Sequence, residues 1–357
     1  MQVGSRIRNI LCGFVGCALV VLGFACMWTR SVCFEDSVSS VCLAAAALAL
    51  PDGDYYGYEE ENETRAVSAV KKQQKADDKQ KAQQIFSSGE VYSEDASQYD
   101  LLSHFPVVET MYRQGDSSFD NVCLKNTTGT AVDIESYIKS PLPFEYESGD
   151  KVQVLIYHTH TSESYLFYDA GYYHEGFYPR SDDESKNMVR VGEALAQGLR
   201  QNGIKVVHAT EVHDSPQYTG AYTRSRDTIE KYLEQYPDIK VILDIHRDSI
   251  SYSKSNGKIK PTFEVEGKKA AQIMIMSGGS FDGFGENLNF AIKLQNTAEE
   301  MYPGMTRPLY FGNFTYNMDV ANGSLLIEVG TDVNTLEEAV YSAELLSNVV
   351  AKVLQSG

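Results

Sequence analysis

Residues 151–163 read KVQVLIYHTHTSE, an apolar run followed at once by a polar one. Residues 152–157 are nearly all apolar and rich in branched side chains, which is typical of a strand buried on both faces of a sheet. His158, His160 and Glu163 follow where that strand is expected to end. The stretch therefore predicts a core strand with ionisable side chains at its carboxyl end.

The alternation of strand and helix continues from this strand to the end of the chain. Apolar runs predict the strands, and apolar residues at helical spacing predict the helices between them. The predicted strands cover residues 204–207, 240–245, 271–276 and 325–329, and the predicted helices cover residues 188–199, 229–236, 291–301 and 336–353. Strands that alternate with helices indicate an α/β domain, a mostly parallel twisted sheet flanked by helices, over residues 151–357.

The composition of the 357-residue chain narrows the classes of protein to which it belongs. Its 43% of apolar residues can bury a core, and its net charge of −18 repels phosphate backbones, so nucleic acid is not an expected partner. Five of the six cysteines lie within the first 42 residues, which excludes a disulfide framework or a cysteine zinc site in the predicted domain. Any metal there is expected to be held by histidine and carboxylate.

Three segments are expected to precede the α/β domain. Residues 1–30 predict a transmembrane anchor, because the uncharged run 10–28 would span about 28 Å as a helix. Two arginines before this run predict a cytoplasmic amino terminus, a single pass of the cell membrane and an extracytoplasmic domain, with a cleaved signal peptide as the alternative. Residues 31–100 are typical of a low-complexity linker, and residues 101–150 of a lead-in segment that packs on the domain.

Two later strands also carry ionisable residues. His246 and Arg247 follow the predicted strand 240–245 directly, and Glu328 lies within the last predicted strand. Ligands of such sheets gather at the carboxyl ends of the strands, so these side chains are expected to meet there. A carboxylate inside an apolar strand is costly unless it has a role, so Glu328 is the expected catalytic base. Arg247 is expected either to pair with Asp248 or to position the substrate.

His160 and His246 are the expected imidazole ligands of a zinc ion, and two carboxylates compete for the third ligand position. Glu163 stands three residues after His160, whereas Glu184 is expected to open the helix that follows the first strand. Each has an ordinary alternative role, Glu163 as the partner of an arginine and Glu184 as a capping residue. His158 competes with His160, because one of the two is expected to be a hydrogen-bonded neighbour rather than a ligand.

Five motifs occur together in the predicted domain. They are LIYHTHTSESY (155–165), VRVG (189–192), DIHRD (244–248), LIEVG (326–330) and NTLEE (334–338). Together they resemble the stage II sporulation protein P family over about residues 130–355. That family is itself similar, more distantly, to zinc-dependent N-acetylmuramoyl-L-alanine amidases.

The resemblance implies a zinc-dependent peptidoglycan amidase and endopeptidase that acts in engulfment during endospore formation, with stage II sporulation proteins D and M as partners. Carried over from the amidases, it implies His160, Glu184 and His246 as zinc ligands and Glu328 as the catalytic glutamate. The amidases have a Pro-Gly-His turn where this chain has a His-Thr-His sequence ending at His160, and Glu163 stays the alternative to Glu184. Two other functions stay open, a zinc carboxypeptidase-like hydrolase of stem peptides and a non-enzymatic wall-binding scaffold.

Overall fold

A computed structural model describes residues 104–174, 176–252 and 257–356 of the chain. The anchor predicted for residues 1–30 and the linker predicted for residues 31–100 lie outside these ranges. No helix within the described ranges is both long and apolar enough to cross a membrane.

The strands of the described chain form two sheets. They are β1 (His104–Thr110), β2 (Ser117–Phe119), β3 (Val122–Asn126), β4 (Val154–Tyr157), β5 (Tyr172–His174), β6 (Val206–His208), β7 (Val241–Asp248), β8 (Ser251–Tyr252), β9 (Gly257–Val265), β10 (Lys268–Ala271), β11 (Ile273–Gly278), β12 (Leu309–Gly312) and β13 (Gly323–Thr331). The larger sheet has the order β2-β3-β12-β11-β13-β7-β4-β6, and the smaller one has the order β10-β9-β1-β5 with β8 paired to β9. Neighbours in the larger sheet run parallel except β2 with β3 and β11 with β13.

Helices cover both faces of the larger sheet. They are α1 (Ile134–Lys139), α2 (Met188–Gln201), α3 (Ala221–Gln235), α4 (Phe284–Met301) and α5 (Leu336–Ser356), with a short 3-10 helix (Met318–Val320). Successive strand residues point to opposite faces. Val154 and Ile156 of β4 therefore pack in the core formed with α2, α4 and α5, whereas Leu155 and Tyr157 pack with Ile229 of α3. The expected α/β fold, with helices flanking the sheet, is confirmed.

The structure differs from the sequence prediction at the start of α2 and in the smaller sheet. The Asn187 side chain accepts a hydrogen bond from Val189 N and caps α2, so Glu184 lies in the preceding turn and does not open the helix. An asparagine side chain satisfies a free amide at the start of a helix equally well, so it can take the place of the predicted capping residue. The smaller sheet has no counterpart in the prediction, because β1 is largely exposed and lacks a continuous apolar face. The lead-in segment supplies β1 to this sheet and β2 and β3 to the larger one.

Helix α2 approaches the larger sheet closely at Gly192. A Cβ atom there would lie 2.5 Å from His158 Nε2 and 2.6 Å from His208 Nε2. These two nitrogens are themselves 2.9 Å apart. The glycine therefore leaves the space that the pair of histidines occupies.

We expect Gly192→Ala to lower the free energy of unfolding by about 1–3 kcal/mol, because the added methyl group overpacks the histidine pair. Gly285→Ala is the matched control, since Gly285 is also helical and its added Cβ would meet nothing closer than 3.4 Å. Urea unfolding of both variants measures the difference. Equal effects of the two substitutions would contradict the close approach at Gly192.

Candidate active site

The ends of β4, β7 and β13 bring four of the predicted residues together in the interior. Strand β7 lies between the other two, and the parallel register sets Glu328 of β13 opposite His246 of β7. His160 and Glu163 follow β4, and the His160 ring centroid is 5.3 Å from that of His246. Each of the four residues is at most 2% exposed. The convergence expected from parallel strand ends is therefore present.

Carboxylates flank both ring nitrogens of His246. Its Nε2 lies 2.8 Å from Asp244 Oδ1, and its Nδ1 lies 3.6 Å from Glu163 Oε2. Asp244 also accepts hydrogen bonds from Thr159 N (2.9 Å) and Thr159 Oγ1 (2.7 Å), which fix its carboxylate. Burial alone would lower the pKa of His246, but the Asp244, Glu163 and Glu328 carboxylates raise it to about 9.

Tyr218 stacks on His160. The two ring centroids are 4.4 Å apart, and the Tyr218 hydroxyl is hydrogen-bonded to His160 Nε2 at 2.9 Å. The Arg180 guanidinium lies 5.0 Å from the Tyr218 ring. The other ring nitrogen of His160, Nδ1, is buried without a hydrogen-bond partner. Burial, together with the charges of His246 and Arg180, holds the pKa of His160 well below its usual value, so its imidazole is neutral.

Glu163 lies between cationic side chains. Its carboxylate is 3.6 Å from Arg180 Nη2 and 3.6 Å from Arg247 Nη1, and it accepts a hydrogen bond of 3.3 Å from Arg247 N. Arg247 is fully buried and also donates to the carbonyls of Ser164 (3.2 Å) and Pro179 (3.0 Å). Arg247 therefore fastens the loop after β4 to β7. Glu163 therefore pairs with arginine, as one of its expected roles has it, and it also lies beside the candidate ligand His246.

Glu328 has the surroundings expected of a general base. Both of its carboxylate oxygens are buried without a hydrogen-bond partner. Burial and the charges of Asp248 and Glu163 raise the pKa of Glu328 well above its usual value, against the opposing charges of His246 and Arg307. A buried carboxylate without a hydrogen-bond partner is free to accept a proton and later to deliver it.

His158 and Glu184 have other surroundings. The His158 Nδ1 atom is 2.9 Å from Ile245 O and its Nε2 is 2.9 Å from His208 Nε2, so both ring nitrogens are occupied. Glu184 is exposed in the turn before α2, where its charge acts on His208. Of the alternatives that the sequence leaves open, the structure brings His160 and Glu163 beside His246.

The donor groups of His160, His246 and Glu163 fit a divalent metal ion such as zinc. His160 Nε2 is hydrogen-bonded to the Tyr218 hydroxyl, and His246 Nε2 lies 2.8 Å from Asp244 Oδ1 without a hydrogen bond of good geometry. The Nδ1 atoms of both histidines are buried without a hydrogen-bond partner. Metal-bound histidines have this arrangement, because the second ring nitrogen is oriented by a polar partner. In the described ranges, no three His, Cys, Asp or Glu side chains already stand close enough together to hold an ion, so a bound ion would require these side chains to move.

Three side chains that complete the site were not predicted. Asp244 precedes His246 by two positions in one strand, so the alternation of side chains could have placed both on the same face. Tyr218 and Arg307 come from loops, where no periodicity marks a residue that points inward. Arg307 is 3% exposed and donates from Nη1 to Asp248 Oδ2 at 2.8 Å.

Comparison with known families supports the resemblance drawn from the motifs. The model of the family described as Stage II sporulation protein P matches residues 46–351. The chain is also 30% identical over 221 residues to the stage II sporulation protein P of Bacillus subtilis (strain 168). That alignment covers 59% of this chain and 53% of the relative, so the chain spans about half the length of the curated relative it matches.

Solved structures of amidases are similar at a lower level. The N-acetylmuramoyl-L-alanine amidase AmiC2 of Nostoc punctiforme is 13% identical, with 58% of this chain and 98% of that one covered and a TM-score of 0.34. An N-acetylmuramoyl-L-alanine amidase from Clostridium difficile 630 is 14% identical, with 58% and 97% covered and the same TM-score. Similarity at this level does not inform the reaction of this chain.

We expect the free energy of unfolding of the metal-free protein to fall as the pH rises from about 6.5 to about 9. The pKa of His246 is about 9 in the folded protein, against 6.5 for an ordinary histidine. The folded state therefore binds this proton more tightly, and the stabilisation is complete below pH 6.5 and lost through pH 9. A shift of this size corresponds to at most about 3 kcal/mol.

Urea unfolding in a chelating buffer at pH 6 and pH 9 measures this loss. Asp244→Asn is the matched control, because it removes the carboxylate that contributes most to the raised pKa while keeping the shape of the side chain. The pH dependence of this variant should be clearly flatter than that of the wild type. Equal slopes would contradict the role given to Asp244.

Proposed function

The chain belongs to the stage II sporulation protein P family, and from this membership and its buried His–Glu cluster we propose that it hydrolyses peptidoglycan as a zinc-dependent N-acetylmuramoyl-L-alanine amidase. The observation that carries the proposal is the pair of buried Nδ1 atoms of His160 and His246, beside Glu163 and opposite Glu328. A scaffold that only binds the wall has no need of such a set, which is costly to bury without a ligand.

Under this proposal His160, His246 and Glu163 hold the zinc ion. A zinc ion held there would polarise the carbonyl group of an amide and would lower the pKa of a water molecule. In this proposal Asp244 Oδ1, 2.8 Å from His246 Nε2, and the Tyr218 hydroxyl, hydrogen-bonded to His160 Nε2, orient the two rings.

Glu328 acts as the general base and then as the general acid. Its buried carboxylate takes a proton from the attacking water and delivers it to the departing amide nitrogen. The raised pKa of Glu328 favours its protonated form, so the group can hold the proton until the nitrogen leaves. An amine is a poor leaving group unless it is protonated, so this delivery is the step for which a buried glutamate is required.

The cellular setting of the proposal rests on the family and on residues outside the described ranges. We propose that the run 10–28 anchors the chain in the membrane, that the domain acts on the wall outside it during engulfment, and that stage II sporulation proteins D and M are its partners. A second activity on the peptide cross-links, as an endopeptidase, belongs to the same proposal. A carboxypeptidase-like hydrolase of stem peptides, built on the same His160 and Glu163, is the alternative enzyme.

We expect Glu163→Gln to lose zinc and Glu184→Gln to keep it. A glutamine amide is a poor zinc ligand compared with a carboxylate, and Glu163 lies beside His246 whereas Glu184 is exposed. Metal analysis of the two purified variants next to the wild type and His160→Ala measures the bound zinc. Zinc lost from the Glu184 variant and kept by the Glu163 variant would restore Glu184 as the third ligand.

We expect Glu328→Gln to keep its zinc and to lose roughly 100- to 10,000-fold in turnover, because glutamine cannot transfer the proton. Glu344→Gln, an exposed substitution on α5, is the matched control and should keep full activity. Digestion of purified peptidoglycan, followed by mass spectrometry of the new termini, measures the rate and identifies the bond.

The products separate the candidate functions. A free lactyl group on muramic acid indicates an amidase, whereas stem peptides that are shortened at their carboxyl ends indicate a carboxypeptidase. Near-full activity of Glu328→Gln would make Glu328 structural, and loss of zinc from this variant would make it a ligand.

A further inference from the structure

Arg307 reaches into the site from the far side of β13. Its backbone N donates to Ile273 O at 2.7 Å, which fixes it beside the start of β11. Its side chain contacts Asp248 at the end of β7, with Nη1 2.8 Å from Asp248 Oδ2. Because β13 lies between β11 and β7, the Arg307 side chain crosses the end of β13 to make this contact. The residue is 3% exposed.

One edge of the Arg307 guanidinium has no partner in the described chain. Nη1 is used by Asp248, whereas Nε and Nη2 are buried without a hydrogen bond. The Nε–H and one Nη2–H point in the same direction, so together they form the edge that arginine uses to bind oxygen acceptors. A buried charged donor left unpaired is costly, so this edge indicates a partner that is not part of the described chain.

Glu328 offers the complementary group at the same end of β13. Both of its oxygens are buried and lack a hydrogen-bond partner. The Arg307 charge is among those that act on the Glu328 carboxyl group, which is consistent with their closeness. Two unpaired donor groups of Arg307 and two unpaired acceptor oxygens of Glu328 therefore lie at the same end of β13, and they are not hydrogen-bonded to each other.

We propose that Arg307 binds the carbonyl oxygen of the amide bond that is cut, while Glu328 faces the nitrogen of the same bond. In a trans amide the carbonyl oxygen, which accepts, and the N–H group, which donates, lie on opposite sides. The oxygen would therefore face the donor edge of Arg307, and the N–H group would face the oxygens of Glu328. The inference rests on the proposed function, because it assigns a substrate-binding residue to the same site.

Arg307→Lys in the full chain tests the inference, because lysine keeps the charge beside Asp248 and removes the donor edge. We expect kcat for a soluble N-acetylmuramoyl-L-alanyl peptide to fall about 100-fold, with KM within a few fold, because negative charge develops on the carbonyl oxygen in the transition state. Arg226→Lys is the matched control, since Arg226 also pairs with an aspartate, Asp319, at 2.7 Å and should keep full activity.

A second variant controls for a folding defect caused by the altered Arg307–Asp248 ion pair. Arg307→Gln combined with Asp248→Asn leaves no unpaired charge, and we expect a similar fall in kcat with unchanged near-UV circular dichroism. Unchanged kcat in both variants overturns the inference, and so does a raised KM at unchanged kcat, which would assign Arg307 to a substrate carboxylate away from the reacting bond. A wild-type protein that cuts no muramoyl amide overturns the proposed function, and this assignment with it, before any variant is compared.

Discussion

The Asp244 carboxylate is the buried interaction on which the arrangement of the site depends. It contacts His246 Nε2 at 2.8 Å and accepts two hydrogen bonds from Thr159, so it joins β7 to the loop that follows β4. Thr159 Oγ1 is in turn 2.9 Å from Ser225 Oγ of α3, which accepts a hydrogen bond of 3.1 Å from Asn317 Nδ2. One chain of polar contacts therefore sets the positions of a strand, a helix and a loop relative to the metal-ligand candidate His246. A network of this kind stabilises a single arrangement when all its members are satisfied.

This network also explains a strained segment beside the site. Tyr316 and Asn317 have φ angles of 41° and 57°, a left-handed conformation that asparagine tolerates but that a bulky residue such as tyrosine rarely adopts. The Asn317 side chain donates to Tyr222 O at 2.9 Å, and the Tyr316 ring stacks on Tyr222 at 4.9 Å. These contacts offset the strain and attach the loop after β12 to α3. Strain that is held in this way is typical of functional sites, where the position of a group matters more than its stability.

The sequence alone predicts the core strands and the meeting of ionisable side chains near their carboxyl ends. Periodicity predicts β4, β7 and β13, and the geometry of parallel sheets then brings His160, His246 and Glu328 together. The sequence does not decide between Glu163 and Glu184 as the third ligand candidate, because that choice depends on the loop after β4 and on which residue caps α2. Loop side chains such as Tyr218 and Arg307 were missed for the same reason, since loops lack a periodic signal. The smaller sheet is not predicted because β1, which lies between β9 and β5, is largely exposed and has no continuous apolar face.

The proposed metal centre consists of the buried histidines His160 and His246 together with Glu163. Anomalous diffraction at the zinc absorption edge, from crystals of the protein grown with zinc, tests it most directly. We expect a peak bounded by His160 Nδ1, His246 Nδ1 and the Glu163 carboxylate. A peak beside Glu184 and His208, or crystals that contain zinc with none at the strand ends, would contradict it.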